Sequence, residues 1–213
     1  MTWVKICGIT DVDDALLAVA LGADAVGFIL APSKRQIAQT RVRDIAARIP
    51  AEVLTVGVFR NESKERVVDV VYSTGLRAVQ LHGNESPAEV AWIADRVPMV
   101  IKAVAAGSEQ AALAAEFVAP IILIDAVQPG GGEVFDWSLA KSMPEDKRLL
   151  LAGGLTPENV ASAIEVVRPW GVDVASGVEK EPGRKDPSAL RRFIQNAKAA
   201  NLQVDQLDES EMD

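Results

Sequence analysis

Short apolar runs recur along the chain, and each is followed by a stretch in which apolar positions return every three or four residues. The runs are Trp3–Cys7, Ala25–Leu30, Val53–Phe59, Ala78–Leu81, Val100–Ala103, Ile121–Asp125, Leu149–Ala152 and Val172–Ala175. Their brevity and their Val and Ile content predict strands buried on both faces. The stretches between them, Val12–Leu21, Thr40–Arg48, Lys64–Ser73, Pro87–Arg96, Glu109–Glu116, Ser138–Met143, Pro157–Val167 and Pro187–Ala199, carry the helical period. Ser86-Pro87-Ala88-Glu89 reads as a capping box with proline at the first helical position. Thr156-Pro157 and Asp186-Pro187 repeat the cap-then-proline signal. Strict alternation of strand and helix predicts a parallel sheet with helical crossovers. Eight such units predict an α/β domain closed into a single parallel eight-stranded (β/α)8 TIM barrel. The alternative is an open doubly wound sheet, which normally has fewer strands and a glycine fingerprint in its first turn. Here that turn is Cys7-Gly8-Ile9-Thr10-Asp11, without the GxGxxG spacing.

The barrel is expected over residues 1–200 of the 213. Residues 201–213 carry acids and no bases, and read as a flexible acidic tail. The apolar share of 49% supports a large core. The net charge of −8 argues against a general nucleic-acid binder, which needs a basic surface. No apolar run approaches the ~18 residues that span a membrane, and Met1-Thr2-Trp3-Val4-Lys5 lacks the start of a signal peptide. Cys7 is the only cysteine, so no internal disulfide forms, which fits the cytoplasm. One histidine and one cysteine cannot build a zinc site of the usual kind. Neither GxxxxGK[ST] nor GxSxG occurs. No metal or cofactor is expected. The expected partner is a phosphorylated small molecule, with monomer and homodimer both open.

In such barrels the active site lies at the C-terminal ends of the strands, and polar residues and glycines collect there. Strand one ends in Cys7, with Lys5 on the same face two residues below. A lone thiol is most often a small buried hydrophobe; at a barrel mouth above an amine it is also a candidate base. Asp125 ends an apolar strand and shares the parity of Ile121 and Leu123, so it points inward. It sits three strands from Cys7 around the ring, a placement that suits an acid and a base acting on one small substrate. Lys5 and Asp173 come from neighbouring strands of a closed barrel and are expected to pair beneath Cys7. Arg35 is a candidate carboxylate clamp, and His82 either a proton shuttle or, preferably, a wall of the pocket. Gly153-Gly154 and Ser176-Gly177 follow strands seven and eight, where many barrels bind phosphate through loop amides. Gly130-Gly131-Gly132, after Asp125, reads either as a lid hinge or as an ordinary flexible loop.

These segments together resemble the phosphoribosylanthranilate isomerase family of tryptophan biosynthesis. The resemblance is carried by Val4-Lys5-Ile6-Cys7-Gly8-Ile9-Thr10, Gly22-Ala23-Asp24-Ala25-Val26-Gly27-Phe28, Ser33-Lys34-Arg35, Gln80-Leu81-His82-Gly83, Phe135-Asp136-Trp137 and Asp173-Val174-Ala175-Ser176-Gly177-Val178-Glu179. It runs from about residue 3 to about residue 198. It implies an Amadori rearrangement of N-(5-phosphoribosyl)anthranilate to 1-(2-carboxyphenylamino)-1-deoxyribulose 5-phosphate, without cofactor or metal. In the implied roles, Asp125 protonates the ring oxygen and Cys7 removes the C2 proton. Arg35 holds the anthranilate carboxylate, and Gly153, Gly154, Ser176 and Gly177 cradle the phosphate. Two departures stand out. Pro129 precedes the glycine triplet where relatives often show Gly-Gly-x-Gly, and Ala175 replaces a serine that many relatives use against phosphate. Another phosphosugar isomerase or synthase of the same barrel group, or a barrel that binds a phosphosugar without turnover, remains the alternative.

Overall fold

The computed structural model describes residues 1–125, 144 and 146–210, with residues 201–210 described by their backbone alone. The barrel consists of β1 (Trp3–Ile6), β2 (Ala25–Ile29), β3 (Leu54–Phe59), β4 (Ala78–Leu81), β5 (Val100–Ala105), β6 (Ile121–Asp125), β7 (Arg148–Leu151) and β8 (Gly171–Val174). Neighbours in sequence are neighbours in the sheet, and β1 pairs in parallel with β8, closing the ring. Outside it lie α1 (Val12–Ala20), α2 (Gln39–Ala46), α3 (Lys64–Thr74), α4 (Pro87–Ala94), α5 (Glu109–Ala112), α6 (Val160–Val167) and α7 (Pro187–Ser210). The closed (β/α)8 barrel read from the alternation is thus the observed fold. The expected Ser138–Met143 helix and the Gly130–Gly132 loop lie outside the described residues. Helix α7 continues past residue 200, where the acidic tail was expected to begin. No helix among the described residues is long and apolar enough to cross a membrane.

Strand parity sorts the side chains into two cores. Inward positions supply Ala25, Val56, Ala78, Ile101, Ala103, Ile121, Leu123, Leu150 and Ala152, a mixture of small and large residues that fills the barrel. Outward positions such as Val4, Ile6, Val26, Phe28, Val79, Leu81 and Ile122 pack under the helices. The N-terminal end of the barrel is closed by half-buried Trp3 and Trp170, stacked with centroids 4.8 Å apart. The polar groups are therefore left for the opposite end.

Local signals behave as their chemistry dictates, with two exceptions. Ser86 and Glu89 form the expected capping box, and Asp186 accepts from the Ala189 amide at 2.8 Å to start α7. Thr156-Pro157 does not start α6. Asn159 folds back to accept the Thr156 amide at 2.8 Å, and this closed turn delays the helix to Val160. The Glu109–Glu116 pattern also divides, into α5 and a 3₁₀ turn at Ala114–Glu116. The tighter turn puts Ala114 and Phe117 into the core within a short link to β6.

Two lysines are buried and paired in the barrel. Lys102 of β5 donates to Glu85 and to the Gly83 carbonyl, both at 2.7 Å. Glu85 in turn accepts the Asn61 and Gly83 amides, which pins the loops after β3 and β4. Lys5, facing the barrel interior, pairs with Asp173 at 2.8 Å across the β1–β8 seam, as parity predicted. Burial alone would lower the Lys5 pKa, but the charges of Asp173 and Cys7 outweigh it and hold the ammonium above its ordinary 10.5. Removing one partner of such a pair strands a buried charge, at a cost of about 3–5 kcal/mol. Asp173→Ala is therefore expected to lower the free energy of urea unfolding by about that amount. A Lys5→Met/Asp173→Leu double variant should lose less. Because the Lys5 folded-state pKa exceeds that of the unfolded chain, the pair's stabilisation is complete below about pH 10.5 and is lost as pH climbs through the folded value. An unfolding free energy that leaves Asp173→Ala unchanged would show that the pair contributes nothing.

Candidate active site

The strand ends assemble one polar mouth. Cys7 follows β1, and its amide donates to the Val174 carbonyl of β8 at 2.8 Å. Cys7 as a whole is 5% exposed and lines a cavity with Ser33, Arg35, Gln80, His82 and Asp125. A contiguous hollow shares Asp125, Asp173 and Ala175, and is completed by Gly153, Gly154 and Ser176. The mouth thus has a thiol-and-guanidinium end and a glycine-rich end, with Asp125 and Asp173 between them. Of the residues singled out from the sequence, Cys7, Arg35, His82, Asp125, Asp173, Gly153, Gly154 and Ser176 line this mouth; Lys5 lies one layer below, and Gly177 is not among the lining residues but packs against the turn after β7.

Close approach explains two glycines. A Cβ at Gly27, on the neighbouring strand β2, would sit 2.9 Å from the Cys7 sulfur and 3.1 Å from the Lys5 ammonium. The thiol therefore occupies space that any side chain at Gly27 would take. A Cβ at Gly177 would collide with the Leu155 carbonyl, so the turn after β8 packs directly on the turn after β7. That second turn holds Gly153 and Gly154 in the left-handed region, at φ 89° and 65°. Asn159 clamps it by donating to the Gly154 carbonyl at 2.9 Å.

The charges divide into two groups. Asp125, 8% exposed, faces His82, whose Nε2 lies 3.4 Å from Oδ2. The Gln80 side-chain amide lies 2.9 Å from His82 Nδ1, so the imidazole is held from both sides beside Asp125. Opposite, Arg35 donates through Nε to both oxygens of Glu179 at 2.9 Å, with Nη2 2.8 Å from Oε2. Burial would raise the Glu179 pKa, but hydrogen bonds and charge from Arg35 and Lys185 prevail and keep it below the ordinary carboxylate range. Burial pushes the Cys7 thiol above its ordinary 9.0; the Lys5 charge opposes this, Asp173 adds to it and Lys185 opposes it.

Sequence reasoning left four residues of this site without a role. Gln80 and Gly27 were quoted in motifs, and their inward parity with Ala78 and Ala25 is the signal that marks them. Glu179 closes a quoted motif, yet nothing in the linear sequence names Arg35 as its partner. Lys185 lies in the charged run from Glu179 to Asp186, which reads as a solvated loop. In the structure, strands β9 (Glu179–Glu181) and β10 (Arg184–Lys185) pair as an antiparallel hairpin around Pro182-Gly183 and fold Lys185 inward.

A model of the N-(5'-phosphoribosyl)anthranilate isomerase family matches residues 4–196. The enzyme of that name from Desulforudis audaxviator is 46% identical over 94% of this chain and 100% of its own length. The crystal structure of the Thermotoga maritima phosphoribosyl anthranilate isomerase superimposes with a TM-score of 0.86 at 48% identity, covering 93% of this chain and 100% of that one. A second such isomerase structure, in complex with reduced 1-(o-carboxyphenylamino)-1-deoxyribulose 5-phosphate, matches with a TM-score of 0.83 at 48% identity, covering 93% and 100%.

A buried thiol held above its ordinary range should react slowly near neutrality. The rate of Cys7 alkylation by iodoacetamide, followed by mass spectrometry, is expected to be still rising at pH 9.0. Gly27→Ala should destabilise the fold by about 1–3 kcal/mol through overpacking and alter the alkylation rate. A rate that levels off near neutral pH would contradict this picture of the thiol.

Proposed function

The chain belongs to the N-(5'-phosphoribosyl)anthranilate isomerase family, catalysing that isomerisation in tryptophan biosynthesis, and on this premise we propose that Cys7 and Asp125 carry its two proton transfers. Arg35 holds the anthranilate carboxylate, His82 walls the site, and Gly153, Gly154, Ser176 and Gly177 receive the phosphate. The observation that carries this reading is the shared cavity: the thiol and the carboxyl line it together, from β1 and from β6 across the ring.

The reaction then proceeds in two stages. Asp125, as the acid, gives its proton to the ribose ring oxygen while the bond from C1 to that oxygen breaks. The anthranilate nitrogen lone pair fills the gap and forms a Schiff base. Cys7, as the thiolate, takes the proton from C2, and the electrons of that bond move toward nitrogen to give an enolamine. Tautomerisation of the enolamine, with a proton added at C1 and one lost from the C2 hydroxyl, yields the ketone. After one turnover the two side chains have exchanged protonation states, and solvent resets them.

The surroundings of each group support its role. Asp125 is buried and lines the hollow that also holds Asp173, Gly153, Gly154 and Ser176, within reach of a ligand seated there. The Lys5 and Lys185 ammonium groups favour the thiolate against burial. Gly153 and Gly154 after β7 and Ser176 after β8 line a hollow in which a phosphate can approach backbone amides. Ala175 carries no hydroxyl and its carbonyl accepts from Lys185, which leaves phosphate recognition there to backbone amides and Ser176.

Each proton transfer by a positioned group contributes roughly 10²–10⁴-fold. Cys7→Ala and Asp125→Asn are each expected to lower kcat by at least about 10²-fold while leaving the circular dichroism spectrum intact. The assay is the loss of anthranilate fluorescence from freshly prepared phosphoribosylanthranilate. Wild-type turnover in either variant would remove that residue from its role.

A further inference from the structure

Lys185 is a cation that the proton transfers do not use, and it is 1% exposed. It reaches the mouth from behind, off the β9–β10 hairpin. Its ammonium donates to the Cys7 carbonyl at 2.6 Å, to the Ala175 carbonyl at 3.1 Å and to Glu179 Oε1 at 3.1 Å. The first two contacts join the ends of β1 and β8, and the third joins both to Arg35. The backbone of Lys185 is fixed as well, its amide donating to Asp14 of α1 at 2.9 Å. The hairpin turn is tied down by Thr10, which donates to the Gly183 carbonyl at 2.5 Å.

Glu179 engages Arg35 along one edge of the guanidinium, through Nε and Nη2. A planar guanidinium held along that edge presents its other edge, Nη1 with the second Nη2 hydrogen, in a fixed direction. Arg35 lines the cavity that contains Cys7. An arginine held in place before binding loses less rotamer freedom when a carboxylate arrives. The same lysine lies under the backbone of Cys7, so its position affects thiol and clamp together.

We propose that Lys185 is a positioning residue that couples the two working ends of the mouth: it anchors the Cys7 backbone and, through Glu179, presets Arg35 for a ring carboxylate. This rests on the reading of Arg35 as the carboxylate clamp, and it adds the device that makes the clamp selective. The charges that act on the Cys7 thiol are Lys5 from β1, Asp173 from β8 and Lys185 from β10, and Arg35, His82 and Asp125 line the same cavity. Loss of the Lys185 charge removes one of the two ammonium groups that favour the thiolate.

The test measures dissociation constants by calorimetry for two probes. One is reduced 1-(o-carboxyphenylamino)-1-deoxyribulose 5-phosphate, and the other is its counterpart without the ring carboxylate. Arg35→Met serves as the reference and is expected to abolish the preference for the carboxylate probe. Glu179→Gln and Lys185→Met should each reduce that preference roughly tenfold and leave the affinity for the counterpart within about twofold. In Lys185→Met the midpoint of Cys7 alkylation against pH should also move upward. A purely structural role would lower the melting temperature and leave both the preference and the midpoint where they are, which would overturn the proposal. If Arg35→Met keeps the preference, the clamp reading itself is wrong. If Arg35→Met loses it and Glu179→Gln keeps it, the coupling alone is wrong. Should Lys185→Met fail to fold, Glu179→Gln, which removes a charge and keeps the shape, decides the question.

Discussion

The Lys5–Asp173 pair spans the seam where the first and last strands of the barrel meet, and the rest of the mouth is built on top of it. A closed barrel has to bring the two ends of its sheet together in one register. The pair supplies a directional contact at that join. It also sets the electrical environment of the layer above, since Cys7 lies directly over an ammonium and beside a carboxylate. Mechanical closure and chemical tuning are therefore two consequences of the same buried contact.

Desolvation works against a thiolate in this position, and the protein counters it from two directions. Lys5 acts from within the barrel and Lys185 from the outer rim, with Asp173 pulling the other way. The net result holds the thiol above its ordinary range, because burial outweighs the two ammonium groups. Gly27 makes this arrangement possible by leaving volume for the sulfur and the ammonium together. A fixed volume and a balanced charge are separate requirements, and a change in either one disturbs the other.

The mouth is asymmetric in a way that suits a substrate with two different anionic ends. One end offers a guanidinium braced by a buried carboxylate; the other offers glycine turns packed so closely that no side chain fits between them. Bidentate guanidinium recognition suits a planar carboxylate, whereas converging backbone amides suit a phosphate. In the roles proposed for Asp125 and Cys7, the reacting carbons of the sugar would lie between these two grips.

Much of this was legible in the residues themselves. Periodicity alone predicted the eight strands and the helices described between them, because parallel strands buried on both faces read as apolar runs and amphipathic helices return every three to four residues. Parity located Lys5, Cys7, Asp125 and Asp173 on the inner face, since strand side chains alternate without exception unless a bulge intervenes. Resemblance assigned them chemistry. The partnership of Arg35 with Glu179, the burial of Lys185 and the grip of Lys102 on the loop before α4 came from the tertiary structure alone. Arg35 and Glu179 are separated by 144 residues, and nothing in either local sequence names the other. Lys185 sits in a run of charges that looks solvated until the hairpin folds it under the rim. Periodicity encodes which face a side chain takes, because that depends on neighbours one turn or one pleat away. Ring closure decides which distant charges meet, because only a closed barrel brings its first, second and eighth strands to a common mouth.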